Sequence, residues 1–136
     1  MIRKADINDF EQIRRIYRKT LSNHRFISKE THLSGINGGK VFVYVHSGEV
    51  VAYVNMGRNN TIKEMAVLPE YQRQGIGTKL LDFLKENCDN LWVNTSQAVE
   101  FYRKHGFDIV DGYRSKRKGV EMKVLFWANK KLLGVV

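Results

Sequence analysis

The stretch from Ile62 to Asn87, IKEMAVLPEYQRQGIGTKLLDFLKEN, constrains the rest of the chain most strongly. Its first part, Glu64-Met65-Ala66-Val67-Leu68, is apolar enough for an interior strand, and Pro69, with no N–H to offer a sheet ladder, closes it. Gln72-Arg73-Gln74-Gly75-Ile76-Gly77 follows, with two glycines that let backbone approach a ligand without an intervening Cβ. From Ile76 onward, Ile76, Leu80, Leu81, Phe83 and Leu84 recur at helical spacing, while Lys79, Asp82, Lys85 and Glu86 take the other face. The loop therefore meets a helix N-terminus, where unpaired N–H groups and the positive end of the helix dipole favour phosphate oxygens. Two commoner phosphate loops do not fit. A dinucleotide fingerprint needs a third glycine where Leu80 stands, and a nucleotide P-loop needs Gly-Lys-Ser/Thr where Gly77 is followed by Thr78-Lys79.

A chain of 136 residues, 43% hydrophobic and 27% charged, holds one domain with a real core. We expect a single domain over residues 1–136. MIRKAD lacks an apolar leader segment, and no run approaches membrane-spanning length. The single Cys88 forms no internal disulfide, and no Cys/His spacing suggests a metal. Cytoplasmic residence, no membrane and no metal are the expectation. The net charge of +9 suits an anionic partner. Its basic groups, Arg14-Arg15 with Arg18-Lys19, Arg114 with Lys116-Arg117-Lys118, and Lys130-Lys131, are short and lack interleaved aromatics, so they read as solvated faces rather than as a nucleic-acid site.

In chain order, Met1 to Ala5 reads as an edge strand and Asp6 as a helix N-cap, with Phe10, Ile13, Ile16, Tyr17 and Leu21 lining a first helix. His24 to Gly39 reads as loops around a short second helix, with His24 and His32 as ordinary polar loop residues. Lys40–Val45 and Glu49–Met56 form a hairpin about His46-Ser47-Gly48. After the central helix come a strand at Leu91–Asn94, a helix AVEFYRKHGF capped by Thr95 or Ser96 and ended by Gly106, and strands at Asp108–Tyr113 and Val120–Trp127. This order predicts an α/β (α+β mixed) fold: a mixed, mostly antiparallel sheet of six to seven strands with helices on both faces.

Two motifs in this order, EMAVLPEYQRQGIGTKLL and AVEFYRKHGF, resemble those of the GNAT superfamily of N-acetyltransferases, and the resemblance covers almost the whole chain. It implies an acetyl-CoA-dependent acyltransferase acting on a small-molecule amine or a peptide by direct attack in a ternary complex, working as a monomer or homodimer. It assigns the pyrophosphate to amides of Arg73, Gln74, Gly75, Ile76, Gly77 and Thr78, with Gln72 opening the loop. It assigns the pantetheine arm and thioester to Met65, Ala66 and Val67, with the Met65 N–H as oxyanion donor. Thr95 stands where the family often has a pantetheine-contacting asparagine. Tyr102 is implied as the acid that protonates the departing thiolate.

Read without the resemblance, Met65 and Val67 fit plain sheet pairing, and Tyr102 fits a core stripe with Ala98, Phe101 and His105. Glu64, a charged residue in an apolar strand, is a candidate general base, or else faces solvent or pairs with a neighbouring Arg or Lys. An acyl-CoA-binding sensor without turnover and a basic nucleic-acid-binding domain are the readings from other classes.

Overall fold

The structure, a computed structural model, describes residues 1–116 and 119–130. Arg117 and Lys118 of the basic loop, and Lys131, lie outside the described residues. Seven strands form one sheet: β1 (Ile2–Lys4), β2 (Val41–His46), β3 (Glu49–Met56), β4 (Thr61–Val67), β5 (Asn90–Thr95), β6 (Asp108–Arg114) and β7 (Glu121–Ala128). Their order is β1-β2-β3-β4-β5-β7-β6, and every pairing is antiparallel except β4 with β5. Among the described residues, four helices pack on it: α1 (Phe10–Thr20), α2 (Lys29–Asn37), α3 (Ile76–Asn87) and α4 (Val99–Lys104). None of these helices is long and apolar enough to cross a membrane.

Local chemistry accounts for the element ends. Asp6 and Asp9 make a reciprocal capping box over the 3₁₀ turn that leads into α1, and Asp9 also pairs with Arg3 at 2.7 Å. The β2–β3 hairpin turns through Ser47 and Gly48, both with positive φ, as its tight connection demands. The α1 face buries Ile13, Ile16 and Tyr17, and the α3 face buries Ile76, Leu80, Leu81 and Leu84. Each such side chain contributes roughly 1.5–3 kcal/mol on burial. Phe42 of β2 meets Phe83 of α3 at 5.1 Å, whereas Tyr53 of β3 meets His32 of α2 at 5.5 Å. Helices therefore cover both faces, as the element order predicts.

Two expectations need correction. Arg14 is not on a solvated face but 8% exposed, and His32 is not a loop residue but a fully buried member of α2. Close packing of α2 depends on Gly35: a Cβ there would stand 2.8 Å from Asn55 Oδ1 and 3.0 Å from Val41 Cγ2.

Candidate active site

The site begins where the sheet comes apart. β4 and β5 pair only at Thr61 with Trp92 and Ile62 with Val93, although β4 runs on to Val67. Just past those pairs the β3–β4 register slips: Asn55 pairs with Glu64 and Met56 with Ile62, leaving Lys63 as an extra residue. Such a bulge bends and twists its strand, which carries β4 away from β5. It also puts Glu64 and Ile62 on opposite faces, where a regular strand would align them. Glu64 thereby joins Tyr53 and Asn55 on the face covered by α1 and α2.

The backbone direction of the open stretch follows from the ladder. Leu68 N–H donates to the Val51 carbonyl at 2.8 Å, so alternation turns the amides of Ala66 and Glu64 toward β3 as well. Lys63, Met65 and Val67 present theirs to the opposite, open side. Two carbonyls there already accept side-chain donors: Lys63 from Arg25 at 2.6 Å, and Val67 from Gln72 Nε2 at 2.9 Å. Met65 lies between them, and its N–H points into the gap.

The gap leads to the start of α3. Arg73 and Gly75 adopt positive φ, and Gly75 is the N-cap residue at φ 81°. The first amide bonded back into this turn is that of Lys79, to the Gly75 carbonyl at 3.0 Å. The N–H groups of Ile76, Gly77 and Thr78 precede it, at the position where helical amides have no intrahelical acceptor. Nothing stands within 4 Å of a Cβ built on Gly75, so the approach to these amides is open. Gly77 serves packing as well: a Cβ there would touch the Phe101 ring at 3.5 Å. Gln74 caps the Glu70 carbonyl at 3.3 Å, and Arg73 is exposed. The side chain of Thr78 turns to His105 at the end of α4.

On the other side of the gap, the Thr95 hydroxyl accepts from the amides of Gln97 and Ala98, which shapes the turn into α4. Tyr102 on α4 is 5% exposed, packed edge-on against Phe101 and Phe107. Its hydroxyl has no hydrogen-bond partner among the described residues. Burial pushes its phenol above the ordinary value, opposed by the charge of Arg25. Burial also raises the Cys88 thiol, aided by Asp89.

Glu64 faces neither solvent nor a lysine. It is 4% exposed, and its carboxylate accepts from His32 Nε2 at 2.7 Å, from the Tyr53 hydroxyl, and from Asn55 Nδ2 at 3.3 Å. Burial works to raise its pKa, and the hydrogen bonds from His32, Tyr53 and Asn55 outweigh burial and hold it below the ordinary value. Tyr53 moves the other way, well above the ordinary phenol, through burial and the neighbouring carboxylate.

With this geometry in hand, comparison with known proteins is specific. Residues 37–109, more than half the chain, match the family model described as the acetyltransferase (GNAT) domain. An N-alpha-acetyltransferase of Sulfurisphaera tokodaii is 30% identical over 132 residues, covering 78% of each chain. N-alpha-acetyltransferase 50 of Danio rerio is 30% identical over 87 residues, and there the match takes in 54% of this chain and only 52% of the relative, about half its length. The crystal structure of Ard1 from Thermoplasma volcanium superposes with a TM-score of 0.80 at 21% identity, over 94% of this chain and 96% of that one, and shares the fold. The strand that leaves its parallel neighbour, the amide-lined start of α3 and the family match lead to one conclusion: this chain belongs to the GNAT acetyltransferase family, whose members are acetyl-CoA-dependent acyltransferases.

Proposed function

We propose that this protein transfers an acetyl group from acetyl-CoA to the free amine of a peptide by direct attack in a ternary complex. The observation that carries the reading is that the Met65 N–H faces the opening between β4 and β5, which leads to the amides of Ile76, Gly77 and Thr78 in the first turn of α3. An extended amide-bearing arm fits beside Met65 and Val67 as an added strand, and its diphosphate fits at the N–H groups of Ile76, Gly77 and Thr78.

In the reaction, the amine nitrogen forms a bond to the thioester carbon while negative charge gathers on the carbonyl oxygen. The Met65 N–H is a fixed dipole directed at that oxygen. The C–S bond then breaks, and the thiolate takes a proton from Tyr102. Burial keeps the phenol protonated at neutral pH but also makes it a weaker acid, so donation depends on the sulfur charge that appears as the bond opens within hydrogen-bond reach. The nitrogen loses its proton to water in the open gap, and Tyr102 is reprotonated from solvent. Cys88, at the far end of α3 with a raised pKa, carries no acyl group.

A peptide amine is favoured by two relatives that are N-alpha-acetyltransferases, and by the loop between α1 and α2. Phe26 there is 85% exposed beside Arg25, which reaches the Lys63 carbonyl. An apolar first side chain on the acceptor fits such a ring. The test is thiol release from acetyl-CoA with free-amino tetrapeptides. Release that saturates with peptide, together with mass gain on the amino terminus, is expected. Acetyl-CoA binding without release by any amine favours the sensor reading instead, and failure to bind acetyl-CoA sinks both.

A further inference from the structure

This chemistry leaves a buried set of polar side chains unused. From Glu64 the contacts continue inward: His32 Nδ1 lies 3.0 Å from Arg14 NH1, and that same guanidinium nitrogen donates to the Ile27 carbonyl at 2.8 Å. Arginine has no acceptor, so His32 Nδ1 must accept, and Nε2 carries the hydrogen given to Glu64. Donor and acceptor roles are thus ordered along the whole relay, from strand β4 through α2 and α1 to the α1–α2 loop.

That loop is held by side chains at three backbone groups of Arg25 and Ile27. The Tyr17 hydroxyl donates to the Arg25 carbonyl at 2.7 Å and accepts from the Ile27 amide at 2.9 Å. Arg14 takes the Ile27 carbonyl, and the Arg25 side chain reaches across to Lys63. Two consecutive residues of β4 therefore grip one tripeptide, Lys63 from the open side and Glu64 from beneath. Phe26, the middle residue, is left standing in solvent. Burying such a relay carries a desolvation cost that apolar packing would avoid. Spare polarity remains in it, since Arg14 Nε and Asn55 Oδ1 are buried with no partner among the described residues.

We infer that Glu64 is a positioning residue, which acts through His32 and Arg14 to fix the α1–α2 loop, and with it Phe26, against the reacting strand. The inference rests on the acceptor side of the proposed site, and it takes the general-base role away from Glu64. A carboxylate whose oxygens already serve three donors on the α1/α2 face is built to hold geometry.

The experiment compares Glu64→Gln and Arg14→Gln with the parent protein, after circular dichroism and thermal melting have shown each to be folded. Tyr53→Phe, which removes one donor to the same carboxylate, is the gentler variant if either fails to fold. The first readout needs no acceptor: amide hydrogen exchange across residues 22–28, expected to speed up about tenfold or more as the loop is released. The second is steady-state kinetics with the tetrapeptide amide Leu-Ala-Glu-Ser. Its KM is expected to rise about tenfold with kcat changed less than about threefold, while acetyl-CoA affinity and the acid limb of the pH profile stay as in the parent. The double variant should match the worse single one, because both cut the same relay. Unchanged loop exchange in two folded variants overturns the inference. So does a collapse of kcat in Glu64→Gln with loss of the acid limb, the signature of a base. If the parent acetylates no peptide, the acceptor assignment fails by itself, and hydrogen exchange still decides the relay.

Discussion

Thr78 and His105 join the first turn of α3 to the end of α4 through a 3.0 Å hydrogen bond between Oγ1 and Nε2. His105 Nδ1 lies 2.7 Å from the Phe101 carbonyl, which only accepts, so Nδ1 donates, Nε2 accepts and the threonine hydroxyl gives the proton. The helix whose first amides have no intrahelical acceptor and the helix that carries Tyr102 are thereby tied side chain to side chain. Thr78→Val keeps the shape and removes the tie. A stability loss of about 1 kcal/mol is expected in urea melts. Turnover should fall more than acetyl-CoA affinity does, because the proposed phosphate contacts are backbone amides that valine retains.

Gly75→Glu tests the cofactor approach. The new side chain would be forced to positive φ and would put a carboxylate at a helix start meant for anions. Acetyl-CoA titration by calorimetry should show at least about a hundredfold loss, some 2.8 kcal/mol at about 1.4 kcal/mol per decade. Ordinary binding by the folded variant would move the phosphate site elsewhere.

Tyr102→Phe separates acid from core aromatic. The ring packing against Phe101 and Phe107 survives the change, so the melting curve should hardly move. A fall in kcat of roughly ten- to a thousandfold with acetyl-CoA affinity intact is expected of a lost proton donor. Full activity would return Tyr102 to the core. Cys88→Ala should keep most activity, and an acetyl adduct on that thiol would contradict direct transfer.

How much of this was legible in the sequence differs from residue to residue for physical reasons. α3 was readable to its ends because Pro69, Gly75 and the Ile76–Leu84 spacing are local signals, and local interactions set those ends. The same signals marked Gln72 to Thr78 as a loop that meets a helix start, and its role toward a ligand is part of the proposal. His32 and Arg14 were not readable. α2, KETHLSGIN, has little apolar periodicity, so His32 carried no mark of burial. Arg14 sat among Arg15, Arg18 and Lys19 and looked like one more solvated charge. Their partner Glu64 reaches them only because Lys63 is a bulge, a property of the pairing with β3 that no pattern within β4 announces. Gln72 stands at the start of the loop, and its side chain caps the Val67 carbonyl.

Acid should reveal the buried carboxylates. Glu64 and Asp9 both titrate below their ordinary values, Asp9 through its bond to Arg3 against the pull of burial. A lowered folded-state pKa adds stability that is present above the unfolded value, near 4, and is lost as pH falls through the folded one. The denaturation midpoint should therefore drop below about pH 4, and Glu64→Gln should shallow that decline while costing about 1–3 kcal/mol at neutral pH. A variant with the parent's acid slope would show that Glu64 does not contribute to it.

Charge should shape acceptor choice. A net charge of +9 draws coenzyme A phosphates and repels polycations. A singly charged amine, or a peptide with acidic residues after its free amine, is expected to outcompete spermine and aminoglycosides. Raising salt toward physiological strength, where the screening length is about 8 Å, should narrow the gap. Spermine giving the highest kcat/KM at every salt concentration would refute the argument.

The parallel seam between β4 and β5 has a consequence for how this chain coheres. On one side of it, β1 to β4 with α1 and α2 form a unit of neighbouring antiparallel strands; on the other, β5, β7 and β6 form a second. Two residue pairs of the ladder, the turn Arg58–Asn60 packed against β5 and the span of α3 stitch the units together across the sheet. The seam joins residues 31 apart in sequence through the α3 crossover, a separation like that between β5 and β7. A ligand laid along it would act as mortar between two blocks. Its binding energy would then appear as resistance to their separation, felt most by amides at Thr61, Ile62, Trp92 and Val93.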